Sequence, residues 1–403
     1  MFNYSFINNT KESVVSDYNF DNNINVNRTS FYKKELKIPI NYYAKILDKI
    51  KILLNKYLNK NDSNYNVIAV DGTYSNTNIL NDKSLETTLN MGYYDATNHI
   101  PIDLELKNGD YKNKEIKSFI EHLEKNNFDK DKVILVFDRA YFSYDFINKL
   151  NELKLNFVIR SRNNSNYLKD SIKNEGKLKK TDTDRFITHE SKRTIIKKDE
   201  DNKNVKLEEN IICNLVTNLN NKDFDDNKIK DIYLQRWSVE VFFKLLKSNF
   251  KFSNLREHNS TTVNEYNKKY LIILINLHII RLIEFVYDKY HKIIKTKNKH
   301  NYGCKYNNTL MITGLKKIIN LIIKSKIDKN ILFNYCSCYI KKNYSIKDIS
   351  NPRISKTPFD KWYVKSYSDY YKYVELIKAL KNNNFDKLNK NLKLLVNNLK
   401  IIK

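Results

Sequence analysis

The spacing of hydrophobic residues changes several times along the chain. In YYAKILDKIKILLNKYL, residues 42–58, Ile46, Ile50, Leu53, Leu54 and Leu58 recur at helical spacing, and this is the one helical pattern in the polar, Asn-rich residues 1–63. From residue 64 the period shortens. VIAV at 67–70 predicts a short buried strand that stops at Asp71, and ETTLNMGYYDATNHIPIDLEL at 86–106 predicts two strands around a turn at Ala96, Thr97 and Asn98. A helix is expected over NKEIKSFIEHLEKN (113–126), a continuous apolar strand over KVILVFD (132–138), a helix over YDFINKLNELK (144–154) and a strand over NFVIRSR (156–162). Continuous apolar strands belong where helices cover both faces of a sheet, so the order predicts an α/β mixed sheet with parallel central strands.

Residues 161–227 read differently. They are charged and turn-rich, with short β-like pieces at 184–190, 192–198 and 210–217, and are expected to form a β-rich insertion. A helix follows over 226–250. From about 256 the pattern is almost entirely helical, with Pro352 and Pro358 marking a break before a last helical tail. The expected division is a helical N-terminal region (1–63), a core (64–160) interrupted by the insertion (161–227) and resumed at 228–255, and a helical C-terminal region (256–403).

Charge narrows the partners. Lys and Arg number 72 against 46 Asp and Glu, a net +26 that favours a polyanion, most simply nucleic acid, over a merely soluble basic protein. Cys213, Cys304, Cys336 and Cys338 fit neither a zinc pattern nor a disulfide framework, which suits a reducing compartment. The first residues, MFNYSFINNTKES, show no basic segment leading into an apolar one, so no signal peptide is expected. The most apolar stretch, 270–288, is interrupted by Asn276, His278, Arg281 and Glu284 and reads as a buried core helix, with no membrane span.

Two carboxylates share one pattern. Asp71 follows Val67 to Val70, and Asp138 follows Val133 to Phe137. A carboxylate at the end of a core strand is costly to desolvate unless it is paired. Two of them on neighbouring strands repel, and a divalent cation with a preference for hard oxygen ligands, magnesium or manganese, answers both problems. The alternative is that each Asp simply caps a strand end or turn. A third element adds weight. If YLQRWSVEVFFKLLK, residues 233–247, is one helix, then Tyr233, Arg236, Glu240 and Lys247 fall within an arc of about 60°. Leu234, Val239, Val241, Phe242, Leu245 and Leu246 then form an opposing core face. An ordinary solvated face with an Arg236–Glu240 pair is the competing reading.

Together these residues resemble the DDE transposases of bacterial insertion sequences. Within those, the resemblance is to the branch with a Tyr-x2-Arg-x3-Glu-x6-Lys signature, the fourth insertion-sequence family. That signature stands here as Tyr233, Arg236, Glu240 and Lys247, preceded by Asp71-Gly72-Thr73 and Asp138-Arg139-Ala140-Tyr141, and Trp237 beside Arg236 is also family-like. The resemblance covers residues 64–255 and implies a ribonuclease-H-like fold with a β-rich insertion. It implies that Asp71, Asp138 and Glu240 hold two Mg2+ or Mn2+ ions and catalyse phosphoryl transfer that cuts transposon ends and joins them to target DNA. Tyr233, Arg236, Lys247, Arg139 and Trp237 are assigned to double-stranded DNA, with Arg139 open between a carboxylate and a phosphate, and Trp237 open between stacking on a base and packing on the sheet. Paired-end cutting implies a homodimer on DNA, inside the cell wherever the element's DNA resides. A catalytically inactive, domesticated DNA-binding protein and a ribonuclease-H-like nuclease are the alternatives. Arg160 and Arg162 face the same choice as Arg139. Tyr141 is open between core and site. His99, His122 and His189 read as ordinary polar residues, and Asp95, Asp103 and Asp110 as turn or surface groups.

Overall fold

The computed structural model describes residues 11–56, 58, 65–77, 86–107, 114–125, 129–161, 177–178, 181–198, 204–250, 252, 254–255, 263–291, 303–306, 309–315 and 342–345. Arg162, Asp110 and the tail beyond Pro352 lie outside them. The chain divides into two compact units, residues 1–191 with 212–349, and residues 192–211 with 350–403. All the site residues described below belong to the first.

Three helices come first: α1 (Lys11–Asn22), α2 (Arg28–Leu36) and α3 (Ile40–Asn55). Only α3 was expected. The other two carry weak patterns because they bury little, with Val15 and Phe31 packing mainly on each other. The core sheet follows: β1 (Asn66–Thr77), β2 (Glu86–Asp95), β3 (Ile100–Lys107), α4 (Glu115–Lys125), β4 (Val133–Phe137), α5 (Tyr144–Glu152) and β5 (Asn156–Arg160). Strands β6 (Lys177–Leu178), β7 (Thr181–Lys198) and β8 (Asn204–Thr217) extend the same sheet at the β5 edge. Next come α6 (Asp226–Leu234), α7 (Trp237–Asn249), the short β9 (Asn254–Leu255) beside β1, and α8 (Val263–His291). A separate short hairpin pairs β10 (Gly303–Tyr306) with β11 (Lys342–Ser345).

The sheet order is β3-β2-β1-β4-β5-β8-β7-β6, with β1, β4 and β5 parallel and the rest of the core antiparallel. This mixed sheet packed against helices on both faces is a ribonuclease-H-like α/β fold. Alternation along β1 assigns the faces. Ile68 and Val70 pack with α4 and α5 through Phe119, Phe146 and Ile147, whereas Val67 packs with α6 and Ala69 with α7 and α8. Strands buried on both sides need no polar alternation, which is why VIAV and VILVF read as unbroken apolar runs.

Strand β1 does not stop at Asp71, as the sequence suggested. It continues to Thr77, and its second half is polar yet inward-facing. Buried Thr73, Ser75 and Thr77 face Thr88 and Asn90 of β2. The Asn90 amide donates to Ser75 Oγ at 2.8 Å and to the Thr73 carbonyl at 3.2 Å, and the Tyr270 hydroxyl of α8 donates to Asn90 Oδ1. Hydrogen bonding replaces apolar contact here, so a hydrophobic pattern could not register the strand.

Candidate active site

Register brings the two aspartates together. Strands β1 and β4 pair in parallel with Ala69 opposite Val136, so continuing the register by two residues sets Asp71 beside Asp138. Strand β4 ends at Phe137, and Asp138 turns the chain, its Oδ1 accepting from the Ala140 N–H at 2.7 Å to cap a short 3-10 turn, Arg139–Tyr141. Asp138 is therefore a cap as well as a carboxylate at the strand end. Asp71 Oδ1 accepts from its neighbour Gly72 N–H at 2.9 Å.

Glu240 arrives on α7, and a glycine seats that helix. Gly92 stands opposite Asp71 on β2, and a Cβ there would lie 2.7 Å from Phe243 Cζ. The bare backbone admits the Phe243 ring, three residues after Glu240, against the sheet beside Asp71. Lys247, two turns along, donates from Nζ to Thr73 Oγ1 at 2.7 Å, tying α7 to β1 just past Asp71. Arg236 bridges the carboxylates. Its guanidinium donates to Glu240 Oε1 and lies 3.9 Å from Asp71 Oδ2.

The expected single helix over 233–247 is interrupted. Gln235, Arg236, Ser238 and Val239 donate three residues back, a tightened turn between α6 and α7. Each tightened residue advances by about 120° rather than about 100°, which shifts the phase of everything before the turn. Tyr233 leaves the polar stripe and is buried with Ile229 and Ile232, its ring centroid 6.0 Å from the Arg236 guanidinium carbon. Leu234 and Val241, expected in the core, are 60% and 47% exposed. Trp237 is 42% exposed with Lys244 Nζ 4.7 Å from its ring centroid, so it lies outside the core. Arg139 is exposed on its turn, and Arg160 is partly buried at the end of β5.

The electrostatics centre on Asp71. Burial, then Asp138, then Glu115 push its carboxyl up to about 7, against the opposing pull of Arg236 and the Gly72 N–H. Glu115 was not singled out in the sequence. It lies in the first turn of α4, where an acid is unremarkable. The available signal was Gly72: a Cβ there would sit 2.6 Å from both Cδ and Oε1 of Glu115, and a glycine inside a strand marks such a close approach. Burial, then Asp138, raise the Glu115 carboxyl, and the Tyr141 phenol opposes them. Tyr141 is fully buried in the core cluster under α5, where a hydrogen bond from its phenol lowers the Glu115 carboxyl.

The remaining candidates fall elsewhere. His99 sits at the β2–β3 turn with φ of 57°, and His189 lies on β7. Asp95 does serve its turn, accepting from the Asn98 N–H at 2.9 Å, though it is buried. His122, expected as an ordinary polar residue, is buried, with Nδ1 3.0 Å from Glu105 Oε1 and its ring stacked on Tyr93. With Asp103 these form the trio, among the described residues, whose ligand atoms all lie within 4.8 Å of one another. Lys107 Nζ, 3.2 Å from Glu105 Oε2, already supplies a cation to it.

A strand-borne Asp pair beside a helix-borne Glu is the arrangement that separates this site from a generic acidic cleft. Residues 62–275, more than half of the chain, match the family described as Transposase DDE domain. The chain belongs to the DDE transposase family. It is thus an enzyme of DNA transposition, and its substrate is DNA. A comparison with curated proteins finds no match. No helix among the described residues is long and apolar enough to cross a membrane.

The site's donors are carboxylate oxygens, hard ligands that suit Mg2+ or Mn2+, and Arg236 now supplies the positive charge between Asp71 and Glu240. Such a donor set fits a divalent metal.

Proposed function

We propose that this DDE transposase belongs to the branch with the Tyr-Arg-Glu-Lys signature, and that it cuts the ends of its element and joins them to target DNA. The reading is carried by Arg236 standing between Asp71 and Glu240, with Asp138 alongside by strand register. Asp71, Asp138 and Glu240 would hold two Mg2+ or Mn2+ ions. When bound, the ions supply Lewis-acid activation of the attacking oxygen and neutralise charge on the leaving 3′-oxygen. The attacking group is water for nicking and a DNA 3′-hydroxyl for joining.

The chain's own residues do the rest. Arg236, which pairs with Glu240 beside Asp71, would grip a DNA phosphate with its two-pronged fork. Tyr233 backs Arg236 from below. Lys247 holds α7 to β1 and adds positive charge beside Thr73. Arg139 and Trp237, both exposed, reach the DNA flanking the cut. In this reading residues 64–160 and 228–255 form the catalytic core around the insertion at 161–227, and the protein works as a homodimer on DNA, wherever its element resides.

A strand-cleavage assay tests the reading, using the terminal DNA of the element with Mg2+ or Mn2+. The wild type is expected to cut at the element end and Glu240→Gln to lose at least about a hundredfold in rate. Tight binding without cleavage by the wild type in either metal would overturn the catalytic reading. Equal cleavage by both proteins would remove Glu240 from the site.

A further inference from the structure

Strand β3 alternates strictly over DLELK, residues 103–107. Leu104 and Leu106 join the core with α7 and α8, so Asp103, Glu105 and Lys107 share the other face. Such a charged face ordinarily meets water. Here α4 covers it and sets the buried His122 among the charges.

Each of the two acids has one oxygen committed and one turned toward the imidazole. Asp103 Oδ1 accepts from the Leu104 N–H at 2.7 Å, and Glu105 Oε2 lies 3.2 Å from Lys107 Nζ. Asp103 Oδ2 and Glu105 Oε1 are left at 3.9 and 3.0 Å from His122 Nδ1. One ring nitrogen and two carboxylate oxygens therefore converge, all within 4.8 Å of one another. Lys107 does not balance them alone. It lies 3.5 Å from Glu121 as well, so its one charge is divided, and Lys51 acts on Asp103 only after His122.

Tyr93 supplies an independent observation. It stands opposite Asp103 on the neighbouring strand, its ring stacks on His122 with centroids 3.7 Å apart, and it is fully buried. Its hydroxyl has no hydrogen-bond partner among the described residues, and the charges acting on it are Glu105, Asp103 and Glu121, in that order. A buried hydroxyl without a partner is costly, so its place beside these acids needs an account. A proton on His122 would answer the two acids and still leave the Tyr93 hydroxyl unpaired. A divalent cation that keeps one water in its shell answers all four groups. An imidazole nitrogen beside two carboxylates suits Zn2+, whereas the all-oxygen donor set of Asp71, Asp138 and Glu240 suits Mg2+ or Mn2+.

We propose that Asp103, Glu105 and His122 form a Zn2+ site that clamps α4 to β3, separate from the catalytic carboxylates. Three protein ligands leave a fourth position for a water, which the Tyr93 hydroxyl partners. The Leu104 N–H and Lys107 orient the two ligating acids from behind. None of these residues belongs to the transposase motifs, so the site stands whatever the chemistry at Asp71.

The test is Zn2+ binding to the full-length protein by calorimetry, without DNA. The wild type is expected to bind one Zn2+ that His122→Gln binds at least about tenfold more weakly. Asp71→Asn, altered at the catalytic carboxylates, is expected to keep that ion. Asp103→Asn changes a partly exposed ligand and is expected to weaken the same site. It decides the matter if His122→Gln fails to fold by circular dichroism. Co2+ in place of Zn2+ should give visible absorption bands in the wild type and in Asp71→Asn that weaken in either ligand variant. A wild type that binds no Zn2+, or ligand variants that bind it as the wild type does, would overturn the proposal and leave a proton as what His122 shares with the two acids. Loss of the ion in Asp71→Asn, with retention in both ligand variants, would assign it to the catalytic carboxylates and overturn the proposal as well.

Discussion

Replacing Asp71 by Asn should stabilise the metal-free protein at neutral pH, although it removes a carboxylate from the candidate catalytic centre. The carboxyl rises from 3.8 to about 7 in the folded chain, because burial, Asp138 and Glu115 outweigh Arg236. Its side chain is only 19% exposed, so solvent screens little of this. A raised value means that the folded chain holds the proton more tightly than the unfolded one. The resulting stability is complete below about pH 4, falls by about 1.4 kcal/mol per pH unit, and is lost once the pH passes about 7. The penalty then approaches about 4 kcal/mol, as an upper figure. Asn carries no such penalty and keeps an oxygen to accept the Gly72 N–H. In urea unfolding with a chelator present, Asp71→Asn should exceed the wild type by about 2–4 kcal/mol near pH 8. The advantage should shrink by about 2–3 kcal/mol near pH 5. Added Mn2+ should raise the wild type and leave the variant nearly unchanged. A variant no more stable than the wild type near pH 8, or an advantage that ignores pH, would refute the reasoning.

Gly92→Ala should place a methyl 2.7 Å from Phe243 Cζ, lift α7 from the sheet and lower stability by about 1–3 kcal/mol, with a matching loss of strand cleavage, both read on the same preparation. Arg185→Ala should cost about 1–3 kcal/mol in chemical denaturation, because that guanidinium holds the Leu219 and Phe224 carbonyls at 3.0 and 2.8 Å and the Asp226 carboxylate at 2.6 Å, closing the loop that leads into α6. Arg236→Ala should lower DNA affinity and flatten the dependence of log affinity on log salt by about one unit, and an unchanged slope in a fluorescence-anisotropy titration would remove Arg236 from the phosphates.

The parts of the site that were legible in sequence were those where apolar runs meet charge. Val67 to Val70 and Val133 to Phe137 announced two strands buried on both faces, and the following aspartates stood out against them. The spacing of Arg236 and Glu240 was legible because an i,i+4 pair survives small changes of helical phase. Tyr233 was misplaced because tightened turns at Gln235 and Arg236 leave no mark in composition. The far half of β1 was invisible because Thr73, Ser75 and Thr77 are buried through hydrogen bonds. Glu115 was hidden by its ordinary place in a helix's first turn, and only Gly72 pointed to it.

The polar ladder on β1 also sets a timetable. Few apolar side chains fix the register of Thr73 to Thr77, so that register depends on Asn90 and on the Tyr270 hydroxyl from α8. On the ribosome both aspartates and Glu240 emerge before Tyr270 does. A nascent chain therefore exposes every acidic group of the centre while the strand carrying the first of them is still unpinned. A product truncated before α8 would carry Asp71, Asp138 and Glu240 without the Tyr270 hydroxyl that holds Asn90 against the strand bearing the first of them.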